Sequence, residues 1–150
     1  MQTDKVIALI CALRDALSAR NHLEIVQQTV SRLSALDLDG VEATPLPPRM
    51  PSHFASELKS AIDHIPESLK AVAGAVSQAA PYLNWKADSG GSDGYYEEGS
   101  DVGQSYREGN LSCRLVGPAE SFVFSEHLSL YLFFLRSRTL YRDHAHQASE

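Results

Sequence analysis

The sequence predicts an α+β protein in which a helical N-terminal region precedes antiparallel β-strands. Two patterns along the 150 residues support this prediction. In residues 1–80 apolar side chains recur every three or four positions, as they do on one face of a helix. From Leu111 onwards they fall into short runs bounded by turn residues, as they do in strands. Helices followed by a series of strands are typical of α+β folds.

The helical region divides into four segments. A first helix is predicted near residues 4–20, with Thr3 available as its N-cap. A second follows Asn21 and stops at the Asp-Leu-Asp-Gly sequence that ends at Gly40. Two more amphipathic segments carry Phe54, Leu58, Ile62 and Ile65, and then Leu69, Val72 and Val76, with Pro66 in the first turn of the last one. Such apolar stripes predict that the helices pack on one another.

Two segments are predicted to be connections between helices and strands, a linker and a loop. Residues 44–51 contain four prolines, which cannot sustain a helix interior, so an extended linker is predicted there. Residues 81–110 are predicted to be a Gly/Ser-rich loop, because five glycines fall within residues 88–103. Tyr95 and Tyr96 are unusual in so polar a stretch. They either pin the loop to the core or act as aromatic contacts of a lid.

The strand region is predicted from three runs, Ser112–Val116, Ser121–Phe124 and His127–Leu135, with a turn at Gly117-Pro118. In the last run both alternating faces are apolar. A strand of this kind is typically buried on both sides, so we expect the run to lie inside the domain.

Composition narrows the classes of partner and compartment. The net charge is -6 and there is no run of basic residues, which argues against nucleic acid or an anionic membrane as the main partner and favours a small ligand. No stretch approaches the roughly 20 apolar residues of a membrane helix, and no secretory signal is present, so a cytoplasmic location is expected. Cys11 and Cys113 are far apart in sequence and are predicted to be reduced, structural thiols.

The strongest chemical signal is a cluster of metal-ligand side chains after the apolar run. His144, His146 and Glu150 form a His-x-His-x3-Glu pattern. On a β-strand these positions share a parity, so their side chains can converge from one face. Two imidazoles and a carboxylate suit one divalent ion such as zinc, iron, manganese or nickel and leave positions open for a substrate. A His-rich polar tail is the simpler alternative, but the apolar strand just upstream favours a metal site.

This pattern resembles the first half of the cupin metal motif, which is carried on an antiparallel jelly-roll barrel, also called a double-stranded β-helix. Together with Ala-Pro-Tyr-Leu-Asn-Trp85, Leu-Val-Gly-Pro118 and Tyr141-x2-His-x-His-x3-Glu, it is similar to the cupin-type dimethylsulfoniopropionate lyases. The likeness covers most of residues 80–150. It departs from the usual cupin motif at Arg138, where glycine is common, and the second half of the motif would fall beyond Glu150. We therefore expect residues 111–150 to be the first part of a truncated barrel, inactive as an isolated fragment.

The resemblance implies cleavage of dimethylsulfoniopropionate to dimethyl sulfide and acrylate by a metal-dependent β-elimination. By motif position His146 and Glu150 match metal ligands, and His144 is either a ligand or a neighbour of the metal. Tyr141 matches a family tyrosine and is the candidate catalytic base; its alternative is a buried aromatic at a strand end. Tyr131 is a candidate substrate-binding residue, because a sulfonium favours aromatic faces. Trp85 and the tyrosines of the loop are weaker candidates for the same contact.

Three alternatives stay open at this point. A non-enzymatic cupin-like domain that binds or senses a small molecule would need the fold without the base. Another metal-dependent cupin enzyme, a dioxygenase or isomerase, could use the same ligands. A helical interaction module with a disordered tail is disfavoured by the apolar run before the motif. The helical stripes are compatible with packing on the barrel or on a second copy, so a homodimer is one expected arrangement.

Overall fold

The computed structural model describes residues 2–39, 41, 49–87 and 104–139, apart from four side chains, those of His53, Gln104, Ser105 and Arg107. The described part is mixed α+β, with helices followed by a four-stranded sheet that does not close on itself. The predicted fold class is confirmed at this level.

Four helices build the N-terminal half: α1 (Gln2–Ser18), α2 (Glu24–Ser34), α3 (Ser52–Asp63) and α4 (Lys70–Ala79). They match the four predicted segments. One detail of the prediction is wrong, because α1 already includes Gln2 and Thr3 therefore lies inside the helix. An N-cap residue needs non-helical backbone angles, so Thr3 is not the cap. Pro66, predicted in the first turn of the fourth segment, instead lies just before it. That segment begins with a short 3-10 turn at Glu67–Leu69.

Helix α1 packs against α2 and α4. Its inner face carries Val6, Leu9 and Ile10, which are all buried. Their spacing of three and four residues places them on one side of the helix. These side chains belong to one hydrophobic cluster that also includes Leu111, Leu115 and other residues of the sheet. Helices and sheet therefore share a core.

The second half contains β1 (Lys86–Ala87), α5 (Gln104–Gly109), β2 (Asn110–Gly117), β3 (Val123–Phe124) and β4 (Leu130–Leu135). Strand β2 is central. Strands β1 and β4 pair with it antiparallel on opposite edges, and β3 pairs with it on the β1 side. Part of the segment predicted as a Gly/Ser-rich loop thus forms β1 and α5, while residues 88–103 lie outside the described part.

Strand β3 differs from the prediction, since it has two residues and runs parallel to β2. A tight turn at Gly117-Pro118 would have produced an antiparallel hairpin. Instead the chain makes a wider loop through Glu120, which has a left-handed backbone with φ of 47°. The Ser121 hydroxyl closes this loop, with its oxygen 2.7 Å from the carbonyl oxygen of Gly117 and 2.9 Å from that of Val123.

Strand β4 is buried on one face only, which corrects the expectation that both faces are covered. Leu130, Leu132 and Phe134 pack on the core. Phe134 meets Phe54 of α3 edge to face, with ring centroids 5.7 Å apart. Tyr131, Phe133 and Leu135, the alternate residues of β4, are exposed on the other face.

The segment before β1 is held in the core. Arg49, at the end of the predicted linker, donates its backbone N–H to the carbonyl of Leu83 at 3.0 Å and accepts from the Trp85 N–H at 2.8 Å. The Trp85 ring is buried, and its indole N–H donates to the carbonyl of Ala80 at 3.1 Å. Trp85 is therefore a core residue and presents no ring face to a ligand. Across the described residues, none of the helices combines the length and the apolar character that crossing a membrane requires.

Candidate functional site

Of the residues predicted to form the site, the structure describes Tyr131. Tyr141, His144, His146 and Glu150 lie outside the described residues. In the described ranges there is no group of three or more His, Cys, Asp and Glu side chains that could hold a metal ion. The metal site therefore stays a prediction about residues 144–150. The chemistry of that donor set, two imidazoles and a carboxylate, fits one divalent first-row ion.

Tyr131 lies on the side of the sheet that faces away from the helices. The register of β2 with β1, β3 and β4 places a defined set of side chains on this side, because residues directly opposite each other in a sheet share a face. We call this set the open face. Its members are Lys86, Asn110, Ser112, Arg114, Gly117, Phe124, Tyr131, Phe133 and Leu135, and Asn110 at one end of the set is fully buried.

A β-bulge in β2 sets which residues reach the open face. The register with β4 shifts between Arg114 and Val116. Cys113 and Val116 are three positions apart, yet both are opposite core-facing residues of β4, namely Leu132 and Leu130. The extra residue lets both point into the core while Arg114 points out.

Four of the described side chains on the open face are apolar or aromatic and exposed. Tyr131 is 37%, Phe133 54% and Leu135 40% exposed, and Phe124 is also exposed. The rings of Tyr131 and Phe133 lie with centroids 6.0 Å apart and planes inclined by 34°. An exposed cluster of aromatic side chains on one sheet face is typical of a binding surface rather than of a solvated edge.

Arg114 and Tyr131 are directly opposite each other in the β2–β4 pair. The guanidinium carbon of Arg114 lies 4.7 Å from the centroid of the Tyr131 ring, and Nη2 of Arg114 donates a hydrogen bond to the Tyr131 hydroxyl. A cation–π contact and a hydrogen bond therefore join the same two side chains. The predicted stacking of a sulfonium on Tyr131 is limited by this geometry, since one cation already lies over the ring.

Three contacts hold Arg114 in place. Besides Tyr131, its Nη1 donates to the carbonyl of Ala119 at 2.6 Å. Its aliphatic stem lies over Gly117, where an added Cβ would be 2.7 Å from Cδ of Arg114. A side chain at position 117 would therefore force the arginine stem to shift. Sequence reasoning missed Arg114, although an arginine in the middle of the apolar run Leu111–Val116 was a visible signal.

Two described charged residues, Lys86 and Glu120, lie near Arg114. Lys86 forms an ion pair with Glu120. The hydrogen bond from Lys86 lowers the pKa of Glu120, helped by the positive charge of Lys86 and, to a smaller extent, by that of Arg114. Both partners of this ion pair are exposed, so it contributes little to stability. Among the described residues, Lys86, Arg114 and Glu120 therefore carry two positive charges and one negative charge.

Arg136, which follows β4, has a different role. Its Nε and Nη2 donate to the two carboxylate oxygens of Glu57 at 2.8 and 2.7 Å, and its guanidinium lies 5.8 Å from the Phe54 ring centroid. This two-point contact ties the end of β4 to α3. Its charge is balanced within the fold.

The fold and the open face together define an α+β protein with a partly aromatic sheet surface that carries one arginine–tyrosine pair. In comparisons with protein family models, with curated proteins and with solved structures, nothing matches this chain. The resemblance to cupin lyases therefore stays a prediction drawn from the motifs.

Proposed function

We propose that this chain belongs to a metal-dependent lyase that cleaves dimethylsulfoniopropionate to dimethyl sulfide and acrylate, with its sheet forming part of a cupin jelly roll. The observation that carries the proposal is the open face around Tyr131. Arg114 lies over the Tyr131 ring, and the neighbouring Phe133 ring is exposed and can meet a sulfonium. Strand β4 also leads along the chain into the metal motif.

A jelly roll encloses one face of each of its strands and leaves the other outside. In β4 the helices cover the face of Leu130, Leu132 and Phe134. The opposite face, with Tyr131 and Phe133, is then the one that a barrel would enclose. Its aromatic rings and the guanidinium of Arg114, which takes part in none of the described ion pairs, suit a small ligand that has both an anionic and an apolar part.

The chemistry of the proposed reaction explains the residue types. A base removes a proton from the carbon next to the carboxylate, the carbon–carbon double bond forms, and the carbon–sulfur bond breaks. Dimethyl sulfide leaves with the bonding electron pair as a neutral thioether. Tyr141 is the proposed base; a free phenol has a pKa near 10, so it needs neighbouring positive charge to act at neutral pH. A divalent ion held by His144, His146 and Glu150 would supply such charge and polarise the substrate carboxylate.

The test is turnover of dimethylsulfoniopropionate by the protein expressed from its complete coding sequence, with zinc, iron, manganese or nickel added in turn. Dimethyl sulfide is measured by gas chromatography and acrylate by liquid chromatography. We expect both products in equal amounts, and a loss of at least about 100-fold in turnover for His146→Ala and Glu150→Ala, because each removes a proposed ligand.

His22→Ala is the matched control, since His22 is an exposed residue between α1 and α2 and should leave turnover unchanged. Full activity in both ligand variants would contradict the proposal. Binding of the substrate with no product would favour the second candidate, a non-enzymatic cupin domain that binds a small molecule. The same open face supports that candidate. Oxygen uptake in place of dimethyl sulfide release would indicate a cupin dioxygenase.

A further inference from the structure

We propose that Arg114 and Tyr131 form a binding site for the carboxylate of a small organic acid on the open face. The contacts of Arg114 and Tyr131 support this site. Its assignment to the carboxylate of dimethylsulfoniopropionate rests on the proposed function.

Arg114 has more hydrogen-bond donors than its described contacts use. A guanidinium has five N–H donors in a planar fork that matches the two oxygens of a carboxylate. In the described part of the chain two of these donors are used, by the carbonyl of Ala119 and the hydroxyl of Tyr131. Among the described ion pairs none involves Arg114. The arginine therefore has both charge and donors to offer to an anion.

The Tyr131 hydroxyl offers a second hydrogen-bond donor beside the guanidinium. A phenol has one hydrogen to donate and can also accept. The oxygen of Tyr131 accepts from Nη2 of Arg114, so the hydroxyl hydrogen is free to donate to a second group. A carboxylate oxygen next to this pair would then accept from the phenol and from the guanidinium together. Hydrogen bonds of this charge-assisted kind are about twice as strong as neutral ones.

Contacts within the fold hold the Arg114 side chain in position before a ligand binds. The stem of Arg114 rests on Gly117, and Ala119 holds one end of the guanidinium. The ring of Tyr131 holds the other side. A long side chain fixed before the ligand arrives loses less conformational entropy on binding than one that is free.

The guanidinium over the Tyr131 ring restricts where a positively charged part of the ligand can lie. A cationic group over Tyr131 would lie close to the guanidinium and be repelled. Phe133, which is 54% exposed and has its ring centroid 6.0 Å from that of Tyr131, offers a ring without a described cation over it. The site thus selects a small acid whose carboxylate meets Arg114 and whose apolar or cationic end meets Phe133.

The experiment measures acrylate binding by NMR titration of the protein in the presence of a chelator, so that no added metal binds the carboxylate. Acrylamide, which has the same shape without the charge, is the control ligand. We expect acrylate to bind in preference to acrylamide. Arg114→Gln should weaken acrylate binding about tenfold or more, because it removes a charge-assisted contact, and Tyr131→Phe should weaken it by a smaller factor.

Arg136→Gln is the matched control variant, since Arg136 already pairs with Glu57, and should change the acrylate affinity less than twofold. Circular dichroism checks that every variant folds, and Tyr131→Phe keeps the ring if Arg114→Gln does not fold. Equal binding of acrylate and acrylamide by the wild type, or unchanged acrylate binding in both site variants, would overturn the proposal. Site-dependent acrylate binding without dimethyl sulfide release would overturn the lyase and leave this site. Turnover with an unchanged KM in Arg114→Gln would do the reverse.

Discussion

At the scale of single residues, the two cysteines differ in their surroundings. Cys113 is 4% exposed on the core face of β2, and burial raises the pKa of its thiol to about 12, partly opposed by a backbone hydrogen bond at Asn84. Cys11 is only half-buried in α1. Since the thiolate is the reactive form, we expect a thiol reagent at pH 8 to label Cys11 and to spare Cys113 until urea unfolds the chain. Equal labelling rates in the folded protein would contradict this.

The same thiol links stability to pH. Its folded pKa of about 12 is above the ordinary value of 9.0, so the neutral form is favoured in the folded state. The stabilisation is complete below pH 9 and is lost as pH rises towards 12, because the unfolded thiol ionises first. The loss amounts to roughly 1.4 kcal/mol per pH unit in that window. Urea unfolding at pH 8 and pH 10 should show a steeper decline for the wild type than for Cys113→Ala.

At the scale of the element, β4 offers neighbouring phenylalanines on opposite faces. Phe134 packs on Phe54 with ring centroids 5.7 Å apart, whereas Phe133 is 54% exposed. We expect Phe134→Ala to lower the free energy of unfolding by about 2–3 kcal/mol, because it leaves a cavity between β4 and α3. Phe133→Ala, the matched control, should cost less than about 1 kcal/mol. Similar losses in urea unfolding would mean that both faces of β4 are covered.

At the scale of the whole molecule, the helices and the sheet share one hydrophobic cluster. Leu9 of α1 is fully buried in it, and Leu23 is 52% exposed. Leu9→Ala should lower the free energy of unfolding by about 3 kcal/mol, and Leu23→Ala by less than about 1 kcal/mol. The shared core also predicts that both halves unfold together.

Two probes can check this cooperativity. Far-ultraviolet circular dichroism follows the helices, and the fluorescence of Trp85, the single tryptophan, follows the core next to β1. We expect coincident urea transitions in the wild type and in both leucine variants. Separate midpoints for the two probes would show that the helical half and the sheet are independent units.

The candidate site was predictable only in part. Tyr131 was a candidate because a sulfonium favours aromatic faces. Arg114 was not, because its role depends on Tyr131, which is 17 positions away in sequence and opposite it in the sheet. Trp85 was a weak candidate for a ligand contact; its indole N–H instead donates to the carbonyl of Ala80, and its ring is buried. The metal motif at residues 144–150 is a signal of sequence alone.

By itself the sequence determined the α+β class, the four helices of the first half and strands β2 and β4, because the periods of helices and strands are local properties of the chain. Only the tertiary structure decided that β3 runs parallel to β2, that β4 buries one face and that Arg114 meets Tyr131. Each of these depends on which segments pair and in what register. Pairing joins residues that are distant in sequence, and no local pattern specifies it.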